Sequence, residues 1–311
     1  MPSLIAHAYF AEDLSSSYNA LTDVIAKEPL AFRLGSQGPD PLFYGGIHPK
    51  RPLHLLMASR KYGNRLHKMD GTALFSALCE EMKTIVMPGY HDIFLSFVLG
   101  QYAHYLLDST AHPYIFYWSG FDENGLLTGE YHYAHAHFEA RIDASLAFRR
   151  GQEEKTGHPE QVLELDDEKL KIISEHFTSA LEKVFKTHFP KNYYRDAVMN
   201  MRSVFHMVNK KKKPGNFLKM LYLPRTKQDV VLNEEHHVWM QPVTGERLED
   251  SFLDLYRKAM EAFKETYALL QAGSTLEDAL KSRLNGLNYE GCVPGYKKIY
   301  KDKEGLLTRE S

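Results

Sequence analysis

The sequence predicts an all-α protein, and three observations carry that expectation. Apolar residues recur at three- and four-residue spacing along most of the 311 residues. No segment sustains the alternation of a half-buried strand. Helix-start and helix-stop residues stand at the ends of the periodic stretches.

Taken in order, the periodicity places helices over residues 3–26, 71–86, 89–110, 130–149, 167–188, 192–211, 248–271 and 275–284. Pro88 and Gly89 open the third, where a proline gives up only an N–H that has no partner in the first turn. Gly151 follows the fourth. Asp166 and Asp167, with Glu168, open the fifth, since carboxylates are favoured at the positive end of the helix dipole. "GST" precedes the last. Two stretches resist the pattern. Residues 31–66 contain "LGSQGPDPLFYGGIHPKRP", too dense in glycine and proline for a helix or a central strand. Residues 212–247 follow the lysine run at 210–213. Long irregular segments inside a compact domain tend to be functional. With no internal repeat, residues 1–311 read as a single domain: candidate ligands within 1–145, C-terminal helices over 160–285 completing the bundle, and 286–311 as a tail.

An apolar content of 43% and a charged content of 25% are those of a soluble globular chain. Thirty-eight basic residues against 40 acidic ones leave no nucleic-acid patch and no global pull toward an anionic membrane. The lysine run reads as a solvated helix end. No transmembrane segment is expected, because no stretch stays apolar for the roughly 20 residues that span a bilayer. The start also lacks a basic and then apolar leader, so a cytoplasmic location is expected. Cys79 and Cys292 are the only cysteines and form no CxxC pair. A metal site must therefore be built from imidazole and carboxylate, and the chain has 16 histidines.

The segment "HYLLDSTAHPY" sets His104, Asp108 and His112 four residues apart. In a helix these positions form one stripe, continuous with Ile93, Phe97 and Gly100. The apolar half of that face points it inward. Burying a charged Asp108 beside imidazoles is costly unless it is compensated, and a divalent cation compensates it well. The next predicted helix repeats the device with His135 and Glu139 at i, i+4 and Asp143 one turn further on. His132 and His137 lie off that stripe and are expected in solvent or behind the ligands. Antiparallel helices presenting histidine and carboxylate inward are a recurrent metal-binding arrangement. Pro113 is expected to end the helix just past His112 and release "YIFYW" as the rim of the site. His91 and Asp92 offer a competing centre, that of an HD-type phosphohydrolase, although an Asp at a helix start is also favoured by the dipole alone.

The ordered motifs "IAHAYFAEDL", "GSQGPDPLFY", "GNRLH", "GQYAHYLLDSTAHPY", "HAHFEARID" and "HHVWMQPVTGERLEDSFLDLYRKA" span residues 3 to about 270. Together they resemble the zinc-dependent phospholipase C family, including its leaderless bacterial members, whose metal arrangement is similar to that of zinc-dependent single-strand nucleases. The resemblance implies a multi-helix bundle with two or three zinc ions between helices, sites that manganese or iron also suit. It implies one ion held by Asp40, His67, His104 and Asp108, and a second held by His112, His135 and Glu139. A third would take His7 and the other oxygen of Asp108, which bridges. Asp40 in "GPDP" competes with a plain turn former, His67 with His54 and His48, and His7 with a core histidine. Secreted members complete the third site with the amine and carbonyl of an N-terminal tryptophan. This chain begins Met1-Pro2-Ser3, so that ligand has no counterpart.

The chemistry implied is phosphoester hydrolysis. Two divalent ions roughly 3.5 to 4 Å apart polarise a phosphate and lower the pKa of a shared water. Asp108 would be the catalytic bridge, and Asp40 would orient or deprotonate the water. Phe43, Tyr44, Tyr114 and Trp118 are expected to line the mouth against an acyl chain, a base or a choline-like cation, with core packing as the alternative. The partner is a phosphoester, phospholipid included. Two further readings compete: a nuclease-like phosphodiesterase, and a non-catalytic protein whose metals staple helices or whose degenerate site binds a phosphorylated ligand. A structural zinc needs only four ligands and no open position, fewer than these motifs supply.

Overall fold

The structure, a computed structural model, describes residues 4–18, 23–46, 60–120, 131–211, 231–242, 244–295, 299–301 and 307–309. His48, His54 and Met1-Pro2-Ser3 lie outside these residues, as do Lys212 and Lys213 of the lysine run. Among the described residues the structure is mostly helical, as the periodicity predicts.

Helix α1 (Leu4–Ser15) is shorter than the 3–26 expected. The hydroxyls of Ser15, Ser16 and Ser17 donate back to the carbonyls of Glu12 and Asp13, a local bonding that competes with helix continuation. A fresh turn, α2 (Val24–Lys27), starts on the Asp23 side chain, which accepts from the Ile25 N–H. The 31–66 stretch is not irregular throughout. It holds most of α3 (Pro29–Gly35), a 3-10 turn over Asp40–Tyr44, and the start of α4 (Lys61–Lys68). Both α3 and the 3-10 turn carry a proline in their first two positions, so these prolines mark starts rather than breaks.

Helices α5 (Gly71–Met82), α6 (Pro88–Gly120) and α7 (Tyr131–Arg149) follow, then a short α8 (Glu154–Gly157), α9 (Asp167–Phe185) and α10 (Tyr193–Lys211). Helices α11 (Phe252–Gln271) and α12 (Leu276–Lys281) close the series. The expected caps are present: Asp166 accepts from the Glu168 and Lys169 N–H groups, and Thr275 accepts from Asp278. Strand content among the described residues is two short antiparallel pairs, β1 (Trp239–Met240) with β2 (Arg247–Leu248) and β3 (Ile299–Lys301) with β4 (Leu307–Arg309).

Helix α6 is the axis of the molecule. Its 33 residues span about 50 Å, and α3, α7, α9 and α11 pack around it. Phe94, Phe97, Tyr102, Tyr105 and Tyr114 on it are all fully buried. Even so, no described helix is both long and apolar enough to cross a membrane.

Pro113 does not end α6, contrary to expectation; the helix runs through it to Gly120. The residues after it are largely core: Tyr114, Ile115 and Phe116 are buried, so "YIFYW" does not form an open rim. The C-terminal segment packs on α6 at this point. Proline removes the N–H that would bond the Ser109 carbonyl, and the segment 284–292 lies against that carbonyl. Gly291 in this segment has φ +73°, and a Cβ on it would stand 2.3 Å from Ser109 O and 2.9 Å from the Pro113 ring. The expected tail from 286 is thus in part a packed wall, with Asn288, Tyr289 and Cys292 buried.

The contact that matters most for the site is the crossing of α3 and α6. A Cβ on Gly100 would lie 2.2 Å from the Phe32 carbonyl oxygen, and one on Gly35 would lie 2.2 Å from the Phe97 carbonyl oxygen. Two glycines therefore let the backbones touch. This brings the Ser36 carbonyl to 2.9 Å from His104 Nδ1. Gly100→Ala should force the helices apart, destabilise the fold by about 1–3 kcal/mol and loosen His104. Urea unfolding together with metal titration measures both effects, and unchanged stability would show that the crossing is not tight.

Candidate metal centre

The α6 stripe delivers His104, Asp108 and His112, and all three are buried. Helix α7 brings His135 and Glu139 alongside, α1 brings His7, the 3-10 turn brings Asp40, and α4 brings His67. These eight residues fall into three groups whose ligand atoms lie within 4.8 Å of one another: His7, His104 and Asp108; Asp40, His67 and His104; and His112, His135 and Glu139. Every metal ligand expected from the sequence is in one of them.

Asp108 is the hub. Its Oδ1 is 3.1 Å from His7 Nε2, and its Oδ2 is 2.9 Å from His104 Nε2, 3.7 Å from His112 Nδ1 and 3.9 Å from His67 Nε2. Asp40 Oδ1 is 3.1 Å from His67 Nε2. Glu139 Oε1 is 3.2 Å from His135 Nε2 and 3.6 Å from His112 Nε2. For metal–ligand bonds of about 2.0–2.1 Å, a tetrahedron has an edge of about 3.3 Å, which is the spacing found here.

Proton placement points the same way. His67 Nδ1 lies 2.8 Å from the Gly63 carbonyl, His104 Nδ1 2.9 Å from that of Ser36 and His112 Nδ1 2.7 Å from that of Tyr289. A carbonyl only accepts, so each Nδ1 carries a proton, and in the neutral form that binds metal the Nε2 lone pair then points inward. That lone pair faces carboxylate oxygen, an arrangement a cation satisfies and a neutral pair does not. His104 Nε2 shows this directly: it is buried, and despite its 2.9 Å approach to Asp108 it has no hydrogen-bond partner among the described residues. The donor set fits a divalent metal ion.

Burial acts against charge here, and the neighbours outweigh it. Burial alone would lower the pKa of His112, but Asp108 and Glu139 push it up to about 10. Burial would raise Glu139, yet His135 and His112 hold it far below the usual carboxylate range. Asp108 is held low against the same burial cost by His104, His112 and His7. Without a cation, the centre keeps its balance by protonating an imidazole.

Asp143 takes a role the stripe did not suggest. Its carboxylate accepts from the Ile5 and Ala6 N–H groups at 3.2 and 2.7 Å, capping α1 beside His7. The His7 ring stacks on His104 with centroids 4.1 Å apart. Phe43 packs on His67, and Phe116 packs on both His112 and His135. Among the residues expected to line a mouth, Phe43 is therefore beside a ligand. Tyr44 is buried next to Phe205, and burial with the Asp40 charge pushes its phenol up to about 12. Tyr114 is a correction: it is fully buried, and its hydroxyl donates to the Val231 carbonyl, since its α6 position faces Trp239 and Phe252. Trp118 is half-buried against Tyr114 and Tyr117.

His91 and Asp92 are about half exposed at the start of α6 and join none of the three groups, so an HD-type centre has no support there. His137 is half-buried and outside them, while the side chain of His132 lies outside the described residues. The residue missed from sequence is Tyr289. Its carbonyl orients His112, its N–H donates to the His67 carbonyl at 3.2 Å, and its ring lies 5.3 Å from His67 and 5.7 Å from His104. No local signal marks it, because 177 residues separate it from His112.

Fold and site together define an all-α protein with a histidine–carboxylate centre suited to metal ions. Comparison with protein-family models, curated proteins and solved structures returns no match.

Metal and proton compete for His112. The raised value means that, in metal-free protein, this pairing stabilises fully below the unfolded histidine value of about 6.5 and is lost as pH rises toward about 10. Metal binding must displace that proton. Added zinc should therefore raise the melting temperature more at pH 8–9 than at pH 6, measured against a chelator control. A zinc effect independent of pH would contradict this protonation scheme.

Proposed function

We propose that the chain is a metal-dependent phosphoester hydrolase of phospholipase C type, with zinc as its metal and a phosphoester, phospholipid among them, as its substrate. One observation supports this above the rest: two ligand groups share His104, and the third adjoins them where His112 Nδ1 lies 3.7 Å from Asp108 Oδ2, rather than forming a single closed four-ligand site. A structural staple requires neither the contiguity nor the surplus of ligands.

Asp40, His67, His104 and Asp108 would hold one ion, His112, His135 and Glu139 a second, and His7 with Asp108 a third. Bound divalent ions supply Lewis acidity toward a phosphoryl oxygen and a nucleophile available near neutral pH. The remaining work falls to the chain. Asp108 presents oxygens to two sides, Oδ1 toward His7 and Oδ2 toward His104. Asp40, buried beside His67, would orient the attacking water and accept its proton. Phe43 and Phe116 shield the imidazoles they pack on, which strengthens every charge interaction inside. Asp143 fixes the start of α1 and with it the position of His7.

Metal analysis combined with hydrolysis of a chromogenic phosphodiester tests the reading. Wild-type protein should carry two or more ions and turn over the ester. Asp108→Asn should lose metal and at least about a hundredfold in rate. A metal-free wild type, or equal rates in both proteins, would sink the proposal.

A further inference from the structure

Tyr289 has a feature that orienting His112 does not use. Its side chain is 1% exposed, and its hydroxyl has no hydrogen-bond partner among the described residues. Leaving a buried hydroxyl unpaired costs about 1–3 kcal/mol, so such a group calls for a specific reason. The ring lies against the imidazoles of His67 and His104, one ligand group's two histidines, with Tyr105 edge-on behind it at 5.2 Å.

The ring is also held where it is. Tyr105 donates from its hydroxyl to the carbonyls of Leu284 and Leu287, the Gly71 N–H donates to Leu287 O, and Asn288 Oδ1 accepts from the Glu290 and Cys292 N–H groups. A phenol packed this firmly beside a ligand cluster is pre-organised, and its O–H is a ready donor. Tyr194 makes a useful contrast. Its hydroxyl is also buried without a partner, but its ring packs on Phe97 and Phe177 and, among the described residues, stacks on no ligand imidazole.

We propose that Tyr289 is a substrate-binding residue whose phenol donates a hydrogen bond to a phosphoryl oxygen held at the metal centre. This rests on the phosphoesterase reading and adds a group to it from the C-terminal segment. The donor would recognise an anionic tetrahedral oxyanion whatever the alcohol esterified to it, and so would act on inorganic phosphate as well as on an ester.

Inorganic phosphate is therefore the probe. Tyr289→Phe keeps the ring and both main-chain contacts and removes an unpaired buried hydroxyl, so zinc content should match wild type and the melting temperature should be at least that of wild type. Calorimetric titration of phosphate into the zinc-loaded proteins should show about ten- to a hundredfold weaker binding in the variant. The rate on a phosphodiester should fall in the same proportion. Tyr194→Phe should leave phosphate affinity unchanged. Equal phosphate affinity in wild type and Tyr289→Phe overturns the role of Tyr289 while leaving the hydrolase reading standing. Zinc-loaded wild type that binds no phosphate and cleaves no ester overturns both. A loss of zinc in Tyr289→Phe also overturns it, by making the phenol part of the metal-holding framework.

Discussion

The carboxylate of Asp108, buried among four imidazoles, is the constraint on which the site depends. A buried charge must be balanced, and an unbalanced one would cost more than a domain of ordinary stability tolerates. The segments that carry histidines to Asp108 come from α1, α4 and two turns of α6. Their convergence follows from that single charge, because each imidazole reduces the cost of burying it. Glu139 repeats the logic on α7 with His112 and His135.

Around this charge stands a layer of backbone. Carbonyls of Ser36, Gly63 and Tyr289 each accept a hydrogen bond from an Nδ1–H, which aims three imidazoles without any further side chain. Such second-layer contacts fix tautomer and ring direction together. They require close approach, and the Gly35–Gly100 crossing provides it for His104. Gly38 does the same on the other side: at φ +56°, any Cβ would collide with the His104 ring. The "GSQGPD" stretch is thus a mould for one imidazole as well as the carrier of Asp40.

The C-terminal segment completes the enclosure. It packs against the Ser109 carbonyl that Pro113 leaves without its helical N–H, and by placing Tyr289 it closes the site over His67 and His112. One segment therefore contacts both the helix and the centre. The same economy appears at Asp143, which caps α1 and so joins α7 to the helix that bears His7.

The helices and the ligand stripes were legible in the sequence because both are local. Apolar spacing and i, i+4 placement of His104, Asp108, His112, His135 and Glu139 depend only on the 3.6-residue turn. Helix starts at Pro88, Asp166 and Thr275 were readable for the same reason. His7, Asp40 and His67 are distant from that stripe, and a resemblance in motif order was needed to name them. Other features were decided only by tertiary structure. Pro113 reads as a stop until segment 284–292 is packed beside it. Asp143 reads only as a further position on the α7 stripe until α1, 137 residues away, presents its N–H groups. Tyr114 reads as a lining aromatic until its hydroxyl donates to the Val231 carbonyl. Tyr289 reads as part of a tail until its backbone meets His112 and His67. In each case the deciding partner is far along the chain, and a periodicity that is set within one helix carries no information about which distant group will meet it.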